Sequence, residues 1–397
     1  MVFIWKGGRT MTEYEISVVS PVHIGSGNEY GLMDFVVLEG RISYINIDKV
    51  FDELKNKGTD ALILYEAIEQ YGRNFNLGLF LKNQGIDVDN VTNYNLRCKE
   101  VPQNTRGFIK NAFTIPLIPG SSIKGAIRTA VAWYLLKDRK NEVEDILNRI
   151  LREIDEIRDR NEKMKKIRWW ERRIGHELEN LIFYGKEKDP KFDIFKSMIV
   201  TDASFESVDQ LSIGKCKVLS TTGDNMMMPK PYDIFLEVLE PPVKSKIMEI
   251  SLNTYFLEKK NQNLGYNTNH ITFLKEFPKA CNEFSKAIIE YELTFFEHYN
   301  LSTLKNYYEN LFNMIPNTDD EFLLRVGHGI GWLSTTLGLL LKENEGLLRK
   351  LRKTFYLGRR RYEPYFLPEY PKSRKIIFDD NNPTYPMGWI KLKKHEE

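Results

Sequence analysis

A strand–turn–strand segment followed by helix occurs once in each half of this chain, and nothing else restricts its fold as strongly. Residues 33–48 (MDFVVLEGRISYINID) read as a strand, a Glu39-Gly40 turn and a second strand. In the other half, Ile234, Leu236 and Val238 alternate on one strand and Ile247, Ile250 and Leu252 on the next, on either side of Glu240-Pro241-Pro242. That pattern predicts a second hairpin. Tight hairpins join antiparallel strands, so a parallel α/β sheet is disfavoured. Helical segments follow both hairpins. Asp48 is placed to cap KVFDELKNKG, Gly58 ends it, and residues 60–71 continue in helical spacing. Residues 271–297 and 301–313 are the counterparts in the second half.

The rest of the chain fits around these anchors. Residues 14–19 form a strand, and residues 22–31 (VHIGSGNEYG) a glycine-rich loop. Residues 83–111 are a polar excursion carrying Arg97, Lys99, Arg106 and Lys110. Residues 113–136 are a short strand, a Pro-Gly-Ser-Ser turn and a helix whose stripe is Ile123, Ala126, Ile127, Ala130, Val131 and Tyr134. Residues 137–180 interleave both charges at helical spacing, the mark of a helical insertion with solvated i,i+4 pairs. Residues 195–205 return to strand, and 322–341 run from a glycine loop into a buried helix. With 397 residues the chain exceeds one ordinary core. The repeated order predicts an α+β protein of tandem ferredoxin-like (RRM-like) domains. Residues 1–10 are read as an N-terminal extension, 11–205 as the first domain with its insertion, and 206–397 as the second.

Several classes are excluded. The net charge of +2 gives no global nucleic-acid signal, so any such surface needs local segregation of charge. The three cysteines, Cys98, Cys216 and Cys281, are too far apart for a zinc motif and odd in number, which suits a reducing, cytoplasmic setting. No stretch approaches the ~20 apolar residues of a membrane span. No cofactor or metal site is expected: Asp34 and Asp202 stand without other ligands.

Two motifs carry candidate chemistry. In IPGSSIKGAIR (118–128), Gly120 turns the chain into a helix capped by Ser121 or Ser122, and Lys124 and Arg128 lie one turn apart near its start. First-turn N–H groups with two cations suit a phosphodiester. A plain capped helix with solvated cations is the alternative. The run Gly327, His328, Gly329, Gly331 lacks both dinucleotide and Walker spacing. It permits either close backbone approach to a ligand or tight packing. His23, beside Gly25 and Gly27, is the weak candidate for a general base. A structural histidine is the preferred reading, because no second catalytic group is fixed beside it.

VHIGSG (22–27), IPGSSIKGAIR (118–128), GHGIGW with STTLG (327–338) and PMGW (386–389), taken in order, resemble the RAMP superfamily of CRISPR proteins. Within it they are similar to the subunit-five family of the type III-A Csm complex, as are VTDASF (200–205) and the EPPV segment. The resemblance implies a non-catalytic subunit that binds guide RNA (crRNA) and caps its 3′ end in antiviral defence. Backbone RAMP subunits and a trimming nuclease would be its partners. It implies RNA contacts at Gly25, Ser26, Gly27, Gly120, Ser121, Ser122, Lys124, Arg128, Gly327, His328, Gly329 and Gly331. In the basic tail it points to Arg359, Arg360 and Arg361. Lys124→Glu with Arg128→Glu is then expected to weaken RNA binding with little change in stability. The alternatives are a metal-independent guide-processing ribonuclease using His23, and a scaffold that recruits a nuclease.

Overall fold

The computed structural model describes residues 3–5, 9–222, 226–253, 257, 264–266, 268–358 and 369–395. Before residue 120 the strands are β1 (Phe3–Trp5), β2 (Arg9–Val18), β3 (Gly25–Gly31), β4 (Phe35–Leu38), β5 (Arg41–Ile45), β6 (Thr92–Cys98), β7 (Asn104–Phe108) and β8 (Leu117–Ile118). After it come β9 (Met198–Val200), β10 (Ala203–Ser204), β11 (Leu211–Thr221), β12 (Met227–Pro229), β13 (Ile234–Leu239) and β14 (Met248–Asn253). The last are β15 (Glu321–Arg325), β16 (Ser373–Asp379), β17 (Asn382–Pro386) and β18 (Trp389–Lys394).

The first sheet runs β15-β18-β2-β14-β9, each neighbour antiparallel, with β1 added beside β2. Along the chain its core is strand β2, helix Gly120–Leu136, strands β9 and β14, helix Phe277–His298 and strand β18. In space these strands stand fourth, first, third, second. The two helices pack on each other and against β9 and β15. Ile123, Ile127 and Ala130 of one meet Phe284, Ile288 and Ala280 of the other in the main core, with Ile16 and Leu392. Of the stripe read from periodicity, Ile123, Ile127, Ala130 and Val131 are buried, and Ala126 and Tyr134 are half-buried.

The second sheet, β3-β7-β13-β11-β6-β5-β4 with β12, β16 and β17 attached, is built from the connections of the first. Strands β3 to β7 fall between β2 and the Gly120–Leu136 helix, β11 to β13 between β9 and β14, and β16 and β17 between β15 and β18. Each sheet therefore takes strands from both sides of residue 205, and the boundary expected there does not separate them. The second expected hairpin is corrected as well. Strand β13 pairs with β11 in one sheet, β14 pairs with β2 in the other, and Glu240-Pro241-Pro242 carries the chain between them. Proline has no N–H for a ladder, which suits it to leaving a sheet. The crossing is pinned instead by Val22 and Leu239, which exchange backbone hydrogen bonds of 2.9 and 2.9 Å.

The first hairpin forms as expected, Val37 opposite Ile42 across the Glu39-Gly40 turn. Its helix, Ile47–Asn56, is capped by Asn46 rather than Asp48: the Asn46 side chain accepts from the N–H groups of Asp48 and Lys49. Residues 22–31 are likewise more ordered than a loop, since Gly25–Gly31 pairs as an edge strand with β7. Val36, Val50, Leu54, Leu64, Leu77, Leu81 and Val91 make a separate small core under β4.

The charged insertion is helical, with Lys140–Asp155, Arg160–Glu171 and Ile174–Glu179 packing through Val143, Leu147, Ile150, Ile167, Trp170 and Leu178. Part of the basic tail is core: Arg374 on β16 is buried against the Glu292 carboxylate at 2.8 Å, its guanidinium 3.8 Å from the Phe295 ring centre. Arg359, Arg360 and Arg361 lie outside the described residues. No helix among the described residues is long and apolar enough to cross a membrane.

Candidate nucleic-acid interface

Where β2 leaves the first sheet, Val22 to Ile24 pass between the end of β13 and the glycine run after β15. The His328 N–H donates to the His23 carbonyl at 2.8 Å. Gly327, at φ +87°, makes this crossing possible, since a Cβ there would stand 2.4 Å from that carbonyl oxygen. Three motifs distant in sequence, VHIGSG, GHGIG and PMGW, meet at this seam: the Val326 N–H donates to Gly388 O at 2.8 Å, and Gly388 N–H donates to Pro21 O at 2.9 Å.

His23 is 2% exposed, its Nδ1 2.7 Å from the Glu237 carbonyl, and its ring meets His328 edge-on at 5.7 Å and Phe108 at 6.1 Å. Burial lowers its pKa, and Arg106 and Lys110 add to that against the opposing Glu237. The His328 ring is pushed down to about 4 by burial, then by Lys375, His23 and Arg106. Both rings are neutral at pH 7. An enclosed His23 is out of reach of a substrate.

Below the histidines the polar groups are saturated. The Glu237 carboxylate, fully buried, accepts from Phe108 N–H at 2.6 Å, from Tyr94 Oη at 2.9 Å and from Lys110 Nζ. Lys110, expected in a polar excursion, is thus an interior cation whose pKa burial lowers although Glu237 opposes it. Above them the balance differs. Lys375 Nζ bonds His328 Nε2 at 2.8 Å and has no carboxylate in ion-pair range among the described residues. Burial and the nearby Arg106 lower its pKa, with the Cys216 thiol opposing. Arg106 pairs with Glu29 at 3.0 Å on the surface. The main chain of Gly25, Ser26 and Gly27 forms the exposed sheet edge beside them, Ser26 Oγ donating to Gly107 O at 3.1 Å. Gly25, Ser26, Gly27, His328 and Lys375 together offer an exposed glycine edge and a cation without a partner acid among the described residues. Lys375 is not among the residues to which the sequence motifs point. The alternation of SRKIIFD, Arg374 inward and Lys375 outward, is the signal that could have separated it.

The second motif is placed elsewhere and does different work. Gly120 is buried, and a Cβ on it would lie 2.1 Å from the Val200 carbonyl oxygen. The helix start expected to face an anion is capped from within: Gly120 N–H donates to Asp202 Oδ1 at 2.8 Å, and no serine side chain caps it. Asp202, isolated in sequence, is the cap. Lys124 Nζ donates to the Met198 carbonyl at 2.7 Å, and burial lowers its pKa. Arg128 bridges Glu179 at 2.8 Å and Asp193 at 2.9 Å and lies 4.2 Å from the Phe183 ring centre. Ser121 is exposed and Ser122 half-buried at the same turn.

The RAMP superfamily model matches residues 15–334. The chain is 28% identical to Csm5 of Methanocaldococcus jannaschii, an alignment covering 97% of this chain and 89% of that protein. It is 25% identical to Csm5 of Streptococcus thermophilus over 66% of this chain and 71% of that one. Among solved structures, a chain of a Csm–crRNA–target RNA ternary complex of a type III-A CRISPR-Cas system superposes with TM-score 0.74 at 26% identity, covering 96% of this chain and all of that one (100%). The crystal structure of T. onnurineus Csm5 gives 0.67 at 24% identity, covering 95% and 99%. None of these names is that of an enzyme. With a family model spanning most of its length and the family's glycine motifs joined at one seam, this chain belongs to the RAMP superfamily.

Proposed function

We propose that the chain is the Csm5-type subunit of a type III-A Csm effector, working in the cytoplasm as a non-catalytic binder of crRNA beside the backbone RAMP subunits. The observation that carries this is the near end-to-end likeness, in both directions, to a chain solved inside a Csm–crRNA–target RNA complex. The fourth-first-third-second order of the first sheet, with two helices between its strands, supports a ferredoxin-like unit there. The RNA backbone is gripped at the seam, by Lys375 and His328 with the Gly25-Ser26-Gly27 edge, and the glycines 327, 329 and 331 bring the chain close.

The finer reading is that this subunit caps the 3′ end of the crRNA, where a separate nuclease trims. The bulk that the 140–179 helices add is what a further stacked copy would have to clear, which supports a terminal place in the assembly. The test is to assemble the complex without this subunit and sequence the crRNA ends. Loss of the mature 3′ length classes with unchanged 5′ ends is the expected result. Altered 5′ ends with normal 3′ ends would overturn it.

A further inference from the structure

The Arg160–Glu171 helix begins at Asp159, whose side chain accepts from Glu162 N–H at 2.8 Å, and buries Ile167 and Trp170. At 3.6 residues per turn, Lys165, Arg168, Trp169 and Arg172 then fall on the opposite side, and all four are exposed. The cations on the inner flanks are satisfied: Lys163 by Asp155 at 2.9 Å, Lys166 and the neighbouring Arg149 by Glu153 at 3.2 and 2.9 Å. Those pairs take up Glu153 and Asp155. Lys165, Arg168 and Arg172 have no carboxylate within 4.0 Å among the described residues. Of the helix's own acids, Glu162 stands exposed on the same face one turn before Lys165 and Glu171 on the flank after Arg168, and neither comes within 4.0 Å of these cations.

Trp169 is 43% exposed amid these cations. Trp170 props it edge-on at 4.6 Å, while Arg173 and Lys166 sit 4.4 and 5.0 Å from its ring centre. A propped aromatic face flanked by exposed cations, Lys165, Arg168 and Arg172 among them without an acid within 4.0 Å among the described residues, is complementary to a chain of phosphates bearing flat bases. An acidic peptide would match the charge and leave the indole unused.

We propose that the outward face of this helix is a second contact for single-stranded RNA, in which Trp169 stacks one base and Lys165, Arg168 and Arg172 hold the flanking phosphates. The stacked base takes the place of one cation now over the indole, and that cation turns to the adjoining phosphate. The surface lies on a different element from the glycine seam and does not depend on the Csm5-type reading.

The experiment uses the full chain and a short, dye-labelled oligoadenylate, titrated at several salt concentrations. Trp169→Ala is expected to weaken binding about fivefold or more, with Trp169→Phe retaining most of the affinity. Lys165→Glu, Arg168→Glu and Arg172→Glu together should lower the slope of log affinity against log salt by about 2, since each phosphate contact on a single strand contributes about 0.7. Melting temperatures should stay at the wild-type value, because every altered residue is exposed. Unchanged affinity and slope in these variants would overturn the proposal, and so would competition by polyglutamate equal to that by RNA. Lys375→Ala keeps the two sites apart. If it alone weakens binding, the seam stands and the second contact falls; if neither set has an effect, both fall.

Discussion

The helices Gly120–Leu136 and Arg160–Glu171 each carry cations about one turn apart, yet they use them in opposite ways. Lys124 and Arg128 are drawn inward, to the Met198 carbonyl, Glu179 and Asp193. Lys165, Arg168 and Arg172 face water with no acid within 4.0 Å among the described residues. The first helix is covered by chain arriving from residues 179–202, which brings its own carboxylates and carbonyls. The second is packed on one side only. Spacing of cations along a helix says that they can act together; what covers the helix decides on what they act.

The largest effect should come from disturbing the inward set. Arg128→Ala leaves Glu179 and Asp193 facing each other without their bridge and uncovers Phe183, so a loss of about 3 kcal/mol is expected in urea denaturation. This reverses the expectation that Lys124→Glu with Arg128→Glu would barely move stability. A loss below about 1 kcal/mol would show that the bridge is as dispensable as a surface pair.

Acid should weaken the seam by on the order of 2 kcal/mol. His328 titrates near 4 in the fold against its ordinary 6.5, and burial also lowers His23. The unfolded chain therefore binds more protons in that window. Stability is full above about pH 6.5 and falls as the pH drops towards 4. His328→Gln should shrink the difference in urea midpoint between pH 7 and pH 5, and an unchanged difference would remove the ring from this role.

Lys375→Ala should leave the melting temperature nearly unchanged while weakening RNA binding about tenfold, the worth of one charged contact. Equal affinity would make the seam a packing feature. The smallest effect belongs to the exposed pair Arg149–Glu153, where Arg149→Ala should cost no more than about 0.5 kcal/mol by denaturation. A larger cost there would mean that the insertion depends on its surface pairs as the first helix depends on Arg128.

The sequence by itself determined the local elements and one face of each. The Glu39-Gly40 hairpin, the stripe Ile123, Ile127 and Ala130, and the helical insertion follow from period and turn chemistry, which act over a few residues. The glycine motifs were legible as a family set, although not as a place. Tertiary structure decided everything that depends on which distant segments meet. It sent β13 and β14 to different sheets, made one sheet from the connections of the other, and brought His23, His328 and Lys375 together. It also made Asp202 the cap of a helix that local reading assigned to serine. Sequence spacing fixes the direction in which a side chain leaves its own element. The charge and hydrogen bonds that side chain meets come from residues tens to hundreds of positions away, and so only the packed chain can state them.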